Sequence, residues 1–156
     1  MSALNKTYIN DLKEWEEDFS FYYEIKVRFS ETDLFGHLNN TVAFIYFEQA
    51  RIEFLKAIGF MQEWLKKDSE TIPVVADLQC DFLQQVYFDE TLKIYVKAAS
   101  VGGSSVDIHY RAVNNKGKTV LTGRGTMVQI LKATGKSKPW EEHQKNKLLN
   151  TNYQHN

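Results

Sequence analysis

The order of elements in this chain predicts an α+β fold: an antiparallel sheet of about five strands wrapped around one long central helix. Three observations carry that expectation. The segment from 39 to 58 leaves little polar face over its first two turns, and a helix apolar nearly all round is buried. The stretches before and after it alternate apolar and polar residues with the period of strands. The later strands are joined mainly by short turns, of which Asn114-Asn115-Lys116-Gly117 is a strong hairpin signal.

Taken in order, residues 3–17 read as a short amphipathic helix, with Leu4, Tyr8, Leu12 and Trp15 at helical spacing. The period then changes. Phe21, Tyr23, Ile25, Val27 and Phe29 alternate with Tyr22, Glu24, Lys26 and Arg28 as a half-buried strand, and Ser30 to Leu38 is loop. The central helix begins at Asn39 or Asn40, both good N-caps, and stops at Gly59. A second short helix covers 60–67. Ile72, Val74, Ala76, Leu78, Cys80 and Phe82 share one parity and read as one strand. Strands through Leu92–Ala98, Val106–Ala112 and 118–131 follow. Gly123 and Gly125 share a face of the last one, which predicts a bend or the close approach of another element. Pro139 is placed to open a short helix, and disorder is expected beyond Leu149. The whole, 1–156, reads as one domain with its core at about 20–132 and a polar tail over 136–156.

Composition narrows the function classes. A net charge of −1 calls for neither nucleic acid nor an anionic membrane. No apolar run has transmembrane length, and the start is too polar for a signal peptide. The one cysteine, Cys80, has no internal disulfide partner, and no Cys/His cluster has zinc spacing, so no metal is expected and the cytoplasm is the default location. The sequons Asn39-Asn40-Thr41 and Asn5-Lys6-Thr7 read as chance matches.

The chemistry concentrates between Arg28 and Arg51, RFSETDLFGHLNNTVAFIYFEQAR. Asp33 lies in a loop just upstream of a buried helix start. The helix end offers unpaired N–H groups and partial positive charge, and the acid offers a nucleophile or general base. That combination suits a carbonyl whose oxygen carries transient negative charge. Asp33 would otherwise fix its loop through an Asx-turn. Glu48 is a rival acid, about 12 Å along the axis from Asn40; its alternative is a buried ion pair with Arg51 at i,i+3, which we favour. His37 is either a proton-handling group or a shaper of the turn. His109, His143 and His155 are expected at the surface or in the tail. Cys80 is expected in the core, and Arg111, Arg124, Lys93 and Lys97 are expected as solvated strand residues. The Gly102–Ser105 loop could offer N–H groups to a phosphate, but a plain hairpin turn is the simpler reading. No Gly-x-Ser-x-Gly elbow, dinucleotide fingerprint or P-loop is present.

Arg28-Phe29, Glu31-Thr32-Asp33, Gly36-His37-Leu38-Asn39-Asn40 and Tyr46-Phe47-Glu48-Gln49-Ala50-Arg51 together resemble the signature of the hotdog-fold thioesterases, in particular the 4-hydroxybenzoyl-CoA thioesterase-like group. The resemblance implies an acyl-CoA thioesterase that releases a free acid and coenzyme A, with no cofactor beyond the coenzyme A of its substrate. It implies Asp33 as the catalytic carboxylate, with the backbone N–H of Asn40 or Thr41 as oxyanion donor and the Thr32 hydroxyl available to orient the acid. Gly36, Asn39 and Thr41 complete the substrate-binding set. The exposed helix start and one open sheet edge imply a homodimer or homotetramer with its site at the subunit boundary. A hotdog dehydratase or hydratase, a non-catalytic acyl-thioester binder, and an acyl-carrier-protein substrate are the alternatives.

Overall fold

A computed structural model of the chain describes residues 7–150. Of the helix expected over 3–17, residues 3–6 with Leu4 and the Asn5-Lys6 pair lie outside the described residues, as do His155 and the tail past Asn150. Within them the helix is shorter than expected, starting at Leu12 with Tyr8 in the turn before it. The elements run α1 Leu12–Glu17, β1 Phe21–Lys26, a 3-10 turn Phe29–Glu31, α2 Val42–Ala57, α3 Phe60–Trp64, β2 Thr71–Val75, β3 Gln79–Phe82, β4 Thr91–Val101, β5 Ser105–Val113, β6 Thr119–Leu131 and α4 Glu142–Leu149.

The strands form one antiparallel sheet in the order β1-β4-β5-β6-β2, with β3 also on β6, and α2 lies across its inner face. Phe47 fixes the contact. Its ring stacks on Tyr110 with centroids 4.5 Å apart and planes 9° apart. A Cβ at Gly123 would collide with that ring and with the Gln79 carbonyl, and one at Gly125 would strike the Asp77 carbonyl and the Leu78 side chain. The close approach expected at these glycines is therefore real, and it comes from both the helix and the neighbouring strand.

Two expectations about this face are corrected. The single-parity strand over 72–82 is two strands with a slipped register: Val75 faces Met127, whereas Gln79 faces Arg124. Cross-strand partners share a face, and a one-residue slip exchanges faces. Pro73 and Val75 thus share the side of Met127, while Cys80 and Phe82 share that of Gly123 and Leu121. Asp77 occupies the break, accepting from Thr126 N at 2.7 Å and from Arg124. The central helix is also not buried all round. Ile45 is 48% exposed, and Glu48 and Gln49 face solvent beside it, because the sheet covers only one side of α2.

The outer face departs furthest from expectation. His109 is 4% exposed, not at the surface. Its Nδ1 accepts from Trp15 Nε1–H at 2.9 Å, so α1 and the segment around it lie across the sheet there. Lys97, Arg111 and Arg124 are paired rather than solvated: Lys97 donates to the Trp15 carbonyl, Arg111 to Thr119, and Arg124 to Asp107 and Asp77. Lys93 stands over the Tyr22 ring.

The ends of the elements follow local chemistry. Asp11 caps α1 by accepting from Glu14 N. Gly59, at φ +88°, follows α2 in the left-handed conformation that costs glycine little. The Asn114–Gly117 hairpin forms as expected, with Asn114 Oδ1 accepting from Lys116 N and Lys118 N. Gly102–Ser105 is a plain hairpin closed by Gly102 N–H to the Ser105 carbonyl. The tail helix starts at Glu142, and the buried Trp140 before it donates to the Gly103 and Ser105 carbonyls. Among the described residues no helix is long and apolar enough to cross a membrane.

Candidate active site

The site is built where the chain leaves β1, turns, and enters α2. Asp33 Oδ1 accepts from Phe35 N at 2.9 Å and His37 N at 3.1 Å, and Gly36 at φ +78° closes the turn. The Asx-turn expected as the alternative role of Asp33 is thus present, but it occupies one oxygen only. Among the described residues no hydrogen bond falls on Oδ2, and the side chain is exposed. One oxygen of the carboxylate is thus spent on anchoring the turn.

The helix start is arranged to the same end. α2 has Thr41 as its N-cap, one or two residues later than the sequence suggested. Asn39 acts from in front of that position: its Oδ1 accepts from both Thr41 N (3.1 Å) and Thr41 Oγ1 (3.0 Å), and its carbonyl accepts from Val42 N. The N–H of Thr41 is therefore spent. That of Asn40 has no hydrogen-bond partner among the described residues.

Asp33, His37, Leu38 and Asn40 line one side of an open cleft of about 460 Å³, and the segment from Phe82 to Val86 lines the other. His37 sits edge-on to Tyr87, with ring centroids 5.2 Å apart. Thr32 does not orient Asp33; its hydroxyl donates to the Phe29 carbonyl at 2.7 Å. Glu48 is outside the cleft and does not pair with Arg51. The Arg51 guanidinium turns inward instead and donates to Tyr110 Oη at 3.1 Å. Cys80 is half-buried, and burial with the nearby Asp81 charge pushes its thiol up to about 12, the wrong direction for a nucleophile. Among the described residues no three His, Cys, Asp or Glu side chains gather as a metal site.

Two residues beneath the cleft were not singled out from the sequence. Glu31 is buried, and its Oε1 accepts from Tyr46 Oη at 2.8 Å and from Arg28 N at 2.9 Å. Burial alone would raise this carboxyl. The Arg28 N–H, the Tyr46 hydroxyl and the Arg28 guanidinium outweigh it and hold the carboxyl below its usual range. The signal was there in part: a tyrosine on the buried face of an apolar helix needs a partner for its hydroxyl.

A family model described as the thioesterase-like superfamily matches residues 27–148, which include the cleft, α2 and every strand of the sheet after β1. The chain belongs to the thioesterase-like superfamily. Thioester hydrolysis is accordingly its reaction class, and the curled sheet around α2 is the hotdog fold. Among relatives, it is 46% identical to the Bacillus subtilis protein YsmA over 89% of this chain and 92% of that one. It is 25% identical to the acyl-CoA thioesterase YbgC of Haemophilus influenzae, over 78% and 88% of the two chains. A thioesterase from Thermus thermophilus, solved with coenzyme A and zinc, superposes with a TM-score of 0.70 at 26% identity, over 85% of this chain and 94% of that one.

Proposed function

We propose that this protein is a cytoplasmic acyl-CoA thioesterase in which Asp33 is the catalytic carboxylate and the Asn40 N–H the oxyanion donor. The observation that carries the reading is that both groups line one cleft with their reactive atoms unspent. The thioester carbonyl oxygen would lie on the Asn40 N–H, where the start of α2 adds partial positive charge. Asp33 Oδ2 would attack the carbonyl carbon, or take a proton from the water that does so, and the thiolate of coenzyme A would leave. No metal or redox group enters this chemistry. His37, Thr32, Gly36, Asn39 and Thr41 shape and hold the loop and helix start.

Assembly belongs to the same reading. The β2–β3 edge exposes Val75, Leu78 and Phe82, and Ile45 is exposed on α2. An apolar open edge of this kind is usually covered, which supports a homodimer or homotetramer with the site at the subunit boundary.

The test is free-thiol release from a panel of acyl-CoA esters. Asp33→Asn keeps the Oδ1 that accepts from Phe35 and His37, so it should fold as wild type and lose about 10²–10⁴-fold in turnover. Glu48→Gln should stay close to wild type. If Glu48→Gln abolishes release and Asp33→Asn does not, the helix glutamate is the catalytic acid. Light scattering should give one dimer or tetramer peak, and a fully active monomer would refute the assembly.

A further inference from the structure

The two groups assigned to chemistry stand seven positions apart in the chain. Asp33 and His37 close the turn between them through their own hydrogen bonds, and that turn has still to be tied to the helix behind Asn40. Glu31 makes that tie twice. Its side chain accepts from Tyr46 Oη at 2.8 Å, reaching the second turn of α2. Its backbone carbonyl accepts from Asn39 N at 2.9 Å, immediately before the donor residue Asn40. Arg28 N closes the 3-10 turn onto the same Oε1, which fixes the Glu31 side chain before it meets Tyr46. Asp33 follows two residues later, after Thr32 has been pinned to the Phe29 carbonyl.

We infer that Glu31 is a positioning residue that sets the separation between the Asp33 carboxylate and the Asn40 N–H by holding the loop and the helix start as one piece. The inference rests on the reading of Asp33 and Asn40 proposed above. Glu31 does not line the cleft, so its effect must pass through those two groups. Its acceptor role rests on Oε1, which takes both the Arg28 N–H and the Tyr46 hydroxyl. A glutamine amide oxygen could accept the same pair, whereas methionine keeps the bulk and removes the acceptor. Arg28 itself is largely solvent-exposed, at 75% for the side chain, and its ion pair with Glu31 at 3.4 Å is a minor part of the clamp.

The experiment compares Glu31→Met, Tyr46→Phe, their double variant, Arg28→Met and Asp33→Asn, each assayed for thiol release well below its melting temperature. Expected is a fall in kcat of about 10-fold to 100-fold for Glu31→Met and for Tyr46→Phe, because small displacements of reacting groups carry costs of that size. KM should stay within about twofold, since the walls that bind substrate are untouched. The double variant should be no worse than the worse single one, the signature of two residues in one unit. Arg28→Met should turn over within about twofold of wild type. Wild-type kcat in Tyr46→Phe and Glu31→Met beside a dead Asp33→Asn overturns the positioning role alone. A loss of activity that only tracks the loss of folded protein overturns it also. An active Asp33→Asn overturns the site reading, and this inference falls with it.

Discussion

On the outer face of the sheet the charges around His109 are answered. Asp107 accepts from Arg124 at one oxygen and stands 2.9 Å from His109 Nε2 at the other; His109 in turn accepts from Trp15, and Arg124 reaches on to Asp77. Around the start of α2 the polar groups are left half-used: among the described residues, Asp33 Oδ2 and the Asn40 N–H have no hydrogen-bond partner. The first arrangement attaches α1 to the strands. The second leaves an acceptor and a donor unspent on residues that line one cleft. In the reading proposed above, the reaction centre is therefore marked by these unspent groups and not by density of buried charge, with Glu31 and Tyr46 holding their positions.

The contrast is sharpest where one backbone hydrogen can be deleted. Asn40→Pro removes the unspent N–H at a position just before the N-cap, outside the hydrogen-bonded helix. Turnover should fall by about 10²–10³-fold, the cost of an oxyanion donor, with the melting temperature little changed. Asn40→Ala keeps the N–H and should keep most turnover. Thr41→Pro is a different test, since its N–H is already bonded to Asn39; it should cost stability before rate. Parallel thiol-release assays and thermal melts on the three variants check this. Normal turnover in a well-folded Asn40→Pro protein would leave the helix start with no part in the chemistry.

The opposite result is expected on the outer face. Arg124→Met keeps the apolar stem and deletes the guanidinium that joins Asp107, Asp77 and the Thr126 hydroxyl. Losing charged hydrogen bonds in this partly covered network should destabilise the fold by about 2 kcal/mol and leave kcat near wild type. Urea unfolding measures the first and thiol release the second. A large drop in kcat without a loss of stability would mean that the two faces are coupled and the contrast is false.

The inner face was the more legible of the two for a physical reason. Its residues are placed by short-range rules: the apolar run of α2, the asparagines before it, the glycines that let Phe47 approach β6, and the Asn114–Gly117 turn. The site loop is equally local, with Asp33, Gly36, His37 and Asn39 bonding within a few residues of one another. What the sequence hid is long-range. Parity places His109, Lys97, Arg111 and Arg124 on the solvent side of their strands. It cannot show that Trp15, more than ninety positions upstream, comes back to cover His109. The break in 72–82 was hidden differently. Its apolar residues keep one parity throughout, and the one-residue slip is set by Asp77 bonding to β6. The tie from Glu31 to Tyr46 spans fifteen positions between elements of different period, so no single pattern contains it.

The smallest effect expected is also the cleanest separation of the two faces, because it needs only pH. His109 is held neutral in the fold: burial lowers its affinity for a proton, and the Lys97 and Arg124 charges on the adjoining strands add to that, while Asp107 opposes them. The uncharged Tyr8 and Trp15 rings close the remaining sides. Protonation would also put a hydrogen on Nδ1, where Trp15 Nε1–H now donates. In the unfolded chain the imidazole titrates near pH 6.5. Between that value and the lower folded one, the unfolded chain binds a proton that the folded chain refuses. Stability from this group is thus complete above about pH 6.5 and declines as the pH falls below it, with a slope no steeper than about 1.4 kcal/mol per pH unit. Asp77 and Glu31, whose carboxyls are held low by their partners, lose their contributions only further into acid. Melting temperatures from pH 7.5 to 5.5 should therefore fall in wild type and flatten in His109→Gln, whose amide can still face both Asp107 and Trp15 without titrating. Thiol release from both proteins, compared at temperatures where each is fully folded, should show the same pH dependence. A His109→Gln melting curve with the wild-type slope would assign the proton to another group, and a matching change in kcat would tie the buried face to the cleft after all.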